Sequence, residues 1–142
     1  MNIPPDYYTK LAYIESSNNP NACSKTSSAS GLYQFTEATW TGLGLDWNDR
    51  FDVDLQRYAI ANYTNKNASI LANIGIPITC ESLYAAHFLG IGCAIHILKE
   101  PADTELIDAL PHNVLVANPF LTGMTVGDFE NWLSMKFNTA KD

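Results

Sequence analysis

Residues 52–75, DVDLQRYAIANYTNKNASILANIG, form the longest stretch of this chain with helical periodicity. Apolar residues recur in it at spacings of three and four, which is typical of an amphipathic helix. Asp52 can cap the first turn, and Gly75 followed by Pro77 ends the pattern. The stretch therefore predicts one helix from about Val53 to Ile74. The side expected to be buried carries Leu55, Tyr58 and Ala59.

Helical patterns also dominate the chain on both sides of this stretch. Before it, helices are predicted from Asp6 to about Glu15 and from Thr36 through Trp40. After it, they are predicted from Thr79 to Gly90, from Gly90 to Lys99, from Glu105 to Leu110 and from Val114 to Asn118. A last helix is predicted after Thr125, where Asp128 completes a variant capping box. The short apolar run Gly31–Phe35 is the one segment that could be extended. The predicted fold class is therefore all-α, with at most one small hairpin.

The size and charge of the chain exclude several classes of protein. Its 142 residues are the common size of one domain, so we predict a single domain over residues 1–142. The formal net charge is −7 with eight Lys and Arg and no basic cluster, which excludes nucleic acid as a partner because phosphates are bound by cations. The apolar stretch Ser82–Leu98 contains no Lys, Arg, Asp or Glu and is 17 residues long. That is short for a bilayer span, so no membrane insertion is expected.

Glu15 is the candidate catalytic residue because it falls on the apolar stripe of its helix, beside Leu11 and Ala12. Burial disfavours an ionised carboxyl. The polar loop Ser16–Ala29 and the run Gly31–Phe35 follow, which places this carboxyl at the lip of a cleft. A partly desolvated, protonated carboxyl is what a general acid for a glycosidic oxygen requires. In the alternative interpretation Glu15 lies just past the stripe and reaches solvent or a cation.

Three blocks of sequence follow one another in a specific order and spacing. They are ESSNNPNA at 15–22, SGLYQFT at 30–36 with Thr39-Trp40 after it, and LYAAHFLG at 83–90. Together they resemble the catalytic core of the soluble lytic transglycosylases, which are relatives of goose-type lysozyme. Segments 117–120 and 125–132 also have counterparts, so the resemblance covers about residues 7–133. Stand-alone domains of this type occur in bacteriophages.

The resemblance implies a lysozyme-like helical domain with a substrate cleft that needs no cofactor. Its implied activity is cleavage of the MurNAc-β-1,4-GlcNAc bond of peptidoglycan with Glu15 as general acid and base, which forms 1,6-anhydroMurNAc. In one alternative, water attacks instead and the enzyme is a muramidase. That mechanism needs a second carboxyl, for which the candidates are Glu37, Asp46, Asp49, Asp52 and Asp54. In another, the chain is a non-catalytic glycan-binding or structural module of a virion or secretion apparatus.

Several side chains in these blocks suit a glycan. The predicted substrate-binding residues are Ser16, Ser30, Tyr33, Gln34, Phe35 and His87. Gln34 offers a donor and an acceptor to an N-acetyl or hydroxyl group, and Gly31 lets the backbone pass close to a sugar. The rings of Tyr33 and Phe35 could stack on sugars or equally fill the core. His87 stands where many members of the family carry tyrosine, so it is either a hydrogen-bonding group of the site or a structural histidine.

Cysteine and histidine chemistry gives a rival interpretation. Three cysteines, Cys23, Cys80 and Cys93, allow one disulfide with a free thiol, or three buried thiols. A Cys–His nucleophile would pair Cys23 with His87, or Cys93 with His96. The second of these pairs also has metal-ligand spacing, but no second half completes four ligands, so no metal is predicted.

The place of action follows from the implied substrate. We expect the protein to act in the bacterial periplasm or cell wall, with peptidoglycan glycan strands as its partner. Residues Met1–Asp6 lack the basic start and apolar core of a secretory leader. Three routes to the wall stay open: carriage in a virion or other envelope assembly, delivery during phage lysis, or trimming from a longer precursor.

Overall fold

The computed structural model describes residues 2–141, and over that range the chain is helical. Met1 and Asp142 belong to the predicted single domain, and Met1 also to the segment predicted to lack a secretory leader; both lie outside the described residues. The described α-helices are α1 (Tyr7–Ser16), α2 (Glu37–Gly42), α3 (Val53–Asn73), α4 (Cys80–Leu89), α5 (Ile91–Leu98), α6 (Leu106–Ala109), α7 (His112–Ala117) and α8 (Val126–Thr139). Two 3₁₀ helices cover Trp47–Asp49 and Pro119–Gly123. The predicted all-α class is confirmed.

The ends of the helices follow the capping residues that the sequence offers. Thr36 accepts a hydrogen bond from the Thr39 N–H, and Asp52 accepts one from the Leu55 N–H. Thr79 and Ser82 form a reciprocal capping box at the beginning of α4. Asp6 differs from expectation, because its carboxylate pairs with Lys10 at 3.0 Å and does not cap α1.

The run Gly31–Phe35 is a tight turn and not a strand. Gly31 and Gln34 both have positive φ, at 83° and 55°. Ser30 forms isolated bridges with Cys23 and with Phe35, and no longer ladder develops there. The apolar character of this run therefore reflects burial of the turn, which a pattern of hydrophobicity does not separate from an extended strand.

Most of the described residues fall into two compact units, an N-terminal unit (Ile3–Lys66) and a C-terminal unit (Asn67–Thr139). The core of the N-terminal unit consists of Tyr7, Leu11, Ala12, Leu32, Tyr33, Phe35, Trp40, Ala59 and Ile60. Phe35 meets Trp40 and Tyr63 edge to face, at centroid distances of 5.9 and 5.7 Å. Trp40 is 1% exposed. The single domain over residues 1–142 stays a prediction.

The C-terminal unit is built around α4 and α8. Residues Ser82–Ala86 of α4 are buried, as are Phe129 and Leu133 of α8. Aromatic side chains join the two helices, with the Tyr84 and Trp132 rings stacked at 6.1 Å. No helix in residues 2–141 combines the length and the apolar character needed to cross a membrane.

The expected helix over Val53–Ile74 is present as α3, but its buried side differs from the prediction. Tyr58 is 57% exposed and Leu55 is half-buried, whereas Ala59 is buried as expected. The buried positions of α3 within the N-terminal unit are Gln56, Ala59, Ile60 and Thr64. Two of these four are polar, and their hydrogen bonds make that burial possible. An apolar pattern could not identify this face for that reason.

Candidate active site

Glu15 lies one residue before the end of α1 and is half-buried. The helix ends because Ser17 and Asn18 both adopt left-handed backbone conformations, with φ of 53° and 63°. Their N–H groups bond to the carbonyls of Tyr13 and Ala12, at 3.0 and 3.2 Å. This cap satisfies the last carbonyls of α1 and turns the chain sharply into the polar loop.

Ser16 ties the end of α1 to the turn that follows the loop. Its Oγ lies 2.9 Å from the Leu32 carbonyl oxygen and 3.0 Å from that of Ala12, and it accepts a bond from the Asn19 N–H. The predicted glycan contact of Ser16 stays a prediction. The contact with Leu32 fixes the backbone next to Glu15 against the Gly31–Phe35 turn.

Gln56 on α3 holds the same turn from the other side. Its side chain is 1% exposed. The Oε1 atom accepts from the Leu32 N–H at 3.0 Å, and Nε2 donates to the carbonyls of Pro20 and Arg50 at 3.0 and 2.9 Å. All three of these partners are backbone groups, so this amide determines the course of the loop beside Glu15. The sequence prediction missed Gln56, although a polar residue three positions before the buried Ala59 was a usable signal.

The Gln56 side chain lies so close to position 31 that this position requires a glycine. A Cβ built at Gly31 would lie 2.9 Å from Cδ and Nε2 of the Gln56 side chain. Its φ of +83° is also a conformation that side-chain-bearing residues rarely adopt. The sequence prediction expected this glycine to let a sugar approach the backbone, whereas the close approach in the structure is that of the Gln56 amide.

The other predicted binding residues of the turn have different surroundings. Gln34 is half-buried, and its Nε2 donates to the Gly31 carbonyl at 2.9 Å. Ser30 is buried and donates to the Ser28 carbonyl at 2.8 Å. Phe35 is 3% exposed and lies in the core. The contacts of these three residues with a glycan stay predictions, and Gln34 is the most accessible of them.

A cavity of about 430 Å³ lies in the N-terminal unit next to this loop. Its walls include Tyr8 and Ala12 of α1, Leu32 and Tyr33 of the turn, and Arg57 and Ile60 of α3. Asn18 also contributes, but Glu15 is not one of its walls.

Two hydroxyl groups of this cavity have partners on α3. Arg57 lies beside the Tyr33 hydroxyl and Thr64 beside the Tyr8 hydroxyl, and each of these neighbours lowers the pKa of its tyrosine. Burial raises the pKa of both tyrosines above the ordinary value, and the Arg57 charge offsets this only partly for the pKa of Tyr33. Both phenols are therefore neutral near pH 7.

His87 belongs to the C-terminal unit, whereas the other predicted binding residues belong to the N-terminal unit. It lies on α4 and is half-buried. Its ring stacks on Tyr84, with centroids 6.3 Å apart. Both interpretations of His87, as a site residue or as a structural histidine, stay open.

The rival cysteine and metal sites have little structural support. No disulfide joins the three cysteines, all of which lie in the described range, and Cys23 is exposed rather than buried. Cys93 is half-buried on α5, and His96 of the same helix is exposed. Across residues 2–141, no group of three His, Cys, Asp or Glu side chains could hold a metal ion.

The candidate second carboxylates are exposed, and two of them cap helices. Asp46 accepts from the Asn48 N–H at 2.9 Å, and Asp52 accepts from the Leu55 N–H at 3.0 Å. Glu37 and Asp54 occupy first turns of helices, where negative charge is favourable. Exposure and capping account for these carboxylates without a catalytic role.

A family model, the transglycosylase SLT domain, matches residues 1–88, which is more than half of the 142-residue chain. The matched range contains Glu15 with its capped helix end and the Gly31–Phe35 turn. It also contains the Gln56 clamp, by which we mean the Gln56 side chain with its three hydrogen bonds to Leu32, Pro20 and Arg50. It also reaches through most of α4. A search of curated proteins finds no match.

Proposed function

We propose that this chain, which belongs to the transglycosylase SLT domain family, cleaves the MurNAc-β-1,4-GlcNAc bond with Glu15 as general acid and base. At the level of the family, membership supports a peptidoglycan-cleaving activity of the lytic transglycosylase type. The setting of Glu15 supports its role: it is half-buried at the end of α1, and Ser16 fixes the adjacent backbone to Leu32.

In the first step Glu15 donates its proton to the O4 oxygen of GlcNAc while the bond from that oxygen to C1 of MurNAc breaks. A general acid must carry its proton at the start of this step. Positive charge develops on the sugar ring, and the N-acetyl oxygen of the same MurNAc stabilises it. Glu15 is left as a carboxylate.

In the second step the Glu15 carboxylate takes the proton of the MurNAc C6 hydroxyl while O6 bonds to C1. The acid is regenerated, no water is added, and the product ends in 1,6-anhydroMurNAc. The hydroxyl belongs to the ring that it attacks, so its effective concentration exceeds that of solvent.

The surroundings of the other carboxylates favour this route over hydrolysis. A muramidase of the two-carboxylate type needs a second carboxyl about 5 to 9 Å from the first to direct water or attack C1. Asp46 and Asp52 use a carboxylate oxygen to cap a helix, and Glu37, Asp49 and Asp54 are exposed. One carboxyl that acts first as acid and then as base accounts for the arrangement without a second catalytic carboxylate.

Mass spectrometry of fragments released from purified peptidoglycan tests the proposal. We expect 1,6-anhydromuramic ends, about 18 Da lighter than hydrolysed ends because no water is added. Chitin oligomers should not be cleaved, because they contain no muramic residue. Reducing muramic ends as the main product would show that water attacks, and no product from the folded protein would favour a non-catalytic glycan-binding module.

The proposed substrate also implies where the protein works. Peptidoglycan lies in the bacterial periplasm and wall, so we propose that the protein acts there, carried by a virion or envelope assembly or delivered during lysis. Immunodetection in purified virions and in envelope fractions would separate these routes. If the protein is in neither the virions nor the envelope fractions, and peptidoglycan-cleaving activity is in the culture medium, carriage in an assembly is contradicted.

A further inference from the structure

We infer that the cavity walled by Tyr33 and Arg57 binds a carboxylate of the substrate and so selects for the acidic part of peptidoglycan. The choice of ligand rests on the proposed function. The cavity itself involves neither Glu15 nor the predicted acid–base chemistry.

The cavity has the size and composition of a site for a small group. Its volume is about 430 Å³, within the range of ordinary ligand pockets. Much of its wall is apolar, from Ala12, Leu32, Ile60 and Ala61. Apolar walls that surround one or two charged or polar groups are typical of sites that fix a ligand in one orientation.

Arg57 is the charged group of this cavity. In the described part of the chain no carboxylate pairs with its guanidinium, and none of the nine wall residues is acidic. The chain as a whole carries a net charge of −7. Arg57 is an exposed residue, and a solvent-accessible cation at the wall of a cavity in such an acidic protein is suited to an anionic ligand. A neutral sugar would not need it.

Tyr33 is a positioning residue for the guanidinium. Its side chain is 5% exposed, and its hydroxyl lies beside the Arg57 guanidinium. A guanidinium has five N–H donors in a planar fork, so an interaction with Tyr33 leaves enough of them for a bidentate contact with a carboxylate. Holding the fork in place beforehand lowers the entropy lost when the ligand binds. Asn18, another wall residue, adds an amide that can also donate.

The substrate contains carboxylates of two kinds. The lactyl group of a muramic residue is free where no peptide is attached, and an attached peptide carries carboxylates of its own. Both present the same planar anion to Arg57. GlcNAc has no such group, so this cavity would distinguish muramic from GlcNAc residues.

Calorimetric titration of the full-length protein with three probes tests the inference. The probes are GlcNAc–MurNAc with a free lactyl carboxylate, the same disaccharide with its peptide, and the neutral lactyl methylamide. Arg57→Met should weaken binding of at least one acidic probe about tenfold, equal to about 1.4 kcal/mol, and leave the neutral probe unchanged. Arg57→Lys should restore part of the loss, because it returns the charge without the fork. Lys66→Met removes an exposed cation of the same helix that is not a wall of the cavity, and it should change nothing.

Each outcome either identifies which carboxylate binds, lactyl or peptide, or contradicts the inference. Loss confined to the free-lactyl probe assigns the site to the lactyl group, and loss confined to the peptide probe assigns it to the peptide. Three results would overturn the inference. Arg57→Met could weaken binding of the neutral probe equally, it could weaken no binding at all, or the wild type could bind neither acidic probe. Turnover of peptidoglycan is measured in parallel. Arg57-dependent binding without turnover would contradict only the proposed function, and turnover without that dependence would contradict only this inference.

Discussion

Glu15 has a different setting from every other acidic residue that the sequence offered for catalysis. It is half-buried at a helix end, and the next residue bonds to the Gly31–Phe35 turn. Glu37, by contrast, is exposed in the first turn of α2. The two residues therefore form a matched pair for a test in which the change in charge is the same.

Glu15→Gln should leave the fold intact and lower the rate of peptidoglycan cleavage at least about a hundredfold, as expected for the loss of a general acid. The assay is release of soluble fragments per mole of protein, with circular dichroism as the check on folding. Glu37→Gln should retain the wild-type rate. A folded Glu15→Gln protein that cleaves at nearly the wild-type rate would exclude the proposed mechanism.

Gln56 is the residue on which the geometry of the loop depends most. Replacement by leucine would leave the Leu32 N–H and the carbonyls of Pro20 and Arg50 without their buried partner. Each lost partner costs about 1 to 3 kcal/mol. We expect Gln56→Leu to lower the free energy of unfolding by about 3 kcal/mol or more, measured by urea denaturation.

Gln56→Glu is the control for shape. Glutamate keeps the acceptor for Leu32 but faces two carbonyl oxygens with no amide proton. It should therefore destabilise the protein although its volume is nearly the same. If both variants unfold at the wild-type urea concentration, the clamp does not contribute to stability.

At the scale of the elements, the ends of the helices are determined by short-range hydrogen bonds. At the beginning of α8 the Thr125 hydroxyl accepts from the Asp128 N–H at 3.1 Å, and the Asp128 carboxylate accepts from the Thr125 N–H at 3.0 Å. The two bonds satisfy donors that would otherwise have no partner in the helix.

Thr125→Ala should lower the free energy of unfolding by about 1 kcal/mol through loss of this cap. Thermal denaturation monitored at 222 nm would measure it as a melting temperature lower by a few degrees. Thr122→Ala is the matched control, because Thr122 is exposed and makes no side-chain hydrogen bond within the described residues. An equal shift in both variants would mean that the box itself adds nothing.

At the scale of the whole molecule, the three cysteines are distributed over both units, and no disulfide joins them. Three thiols should therefore react with a chromogenic disulfide reagent when the protein is denatured without reductant. In the native protein Cys23 should react first, because it is exposed whereas Cys80 and Cys93 are half-buried.

Cys23→Ser should remove only the fast phase of that reaction. A single reactive thiol in the denatured wild type would instead reveal a disulfide. The pair to test first would then be Cys80 and Cys93.

The helices, and Glu15 as the candidate catalytic residue, could be predicted from the sequence because their signals are local. Caps at Thr36, Thr79 and Thr125 act within three residues, and each begins a helix in the structure. The block around Glu15 resembles a family that the match over residues 1–88 now shows. Short-range chemistry of this kind can be read directly from neighbouring residues.

The surroundings of the site depend on contacts between distant residues, and only the tertiary structure decides them. Gln56 meets Leu32 across 24 positions and Pro20 across 36, and Arg57 reaches Tyr33 in the same way. An apolar pattern placed Tyr58 on the buried side of α3, but buried polar groups follow their hydrogen-bond partners and not hydrophobicity. Those partners come together only when the chain has folded, so the buried face of α3, the need for Gly31 and the cavity at Arg57 could not be derived from the order of residues alone.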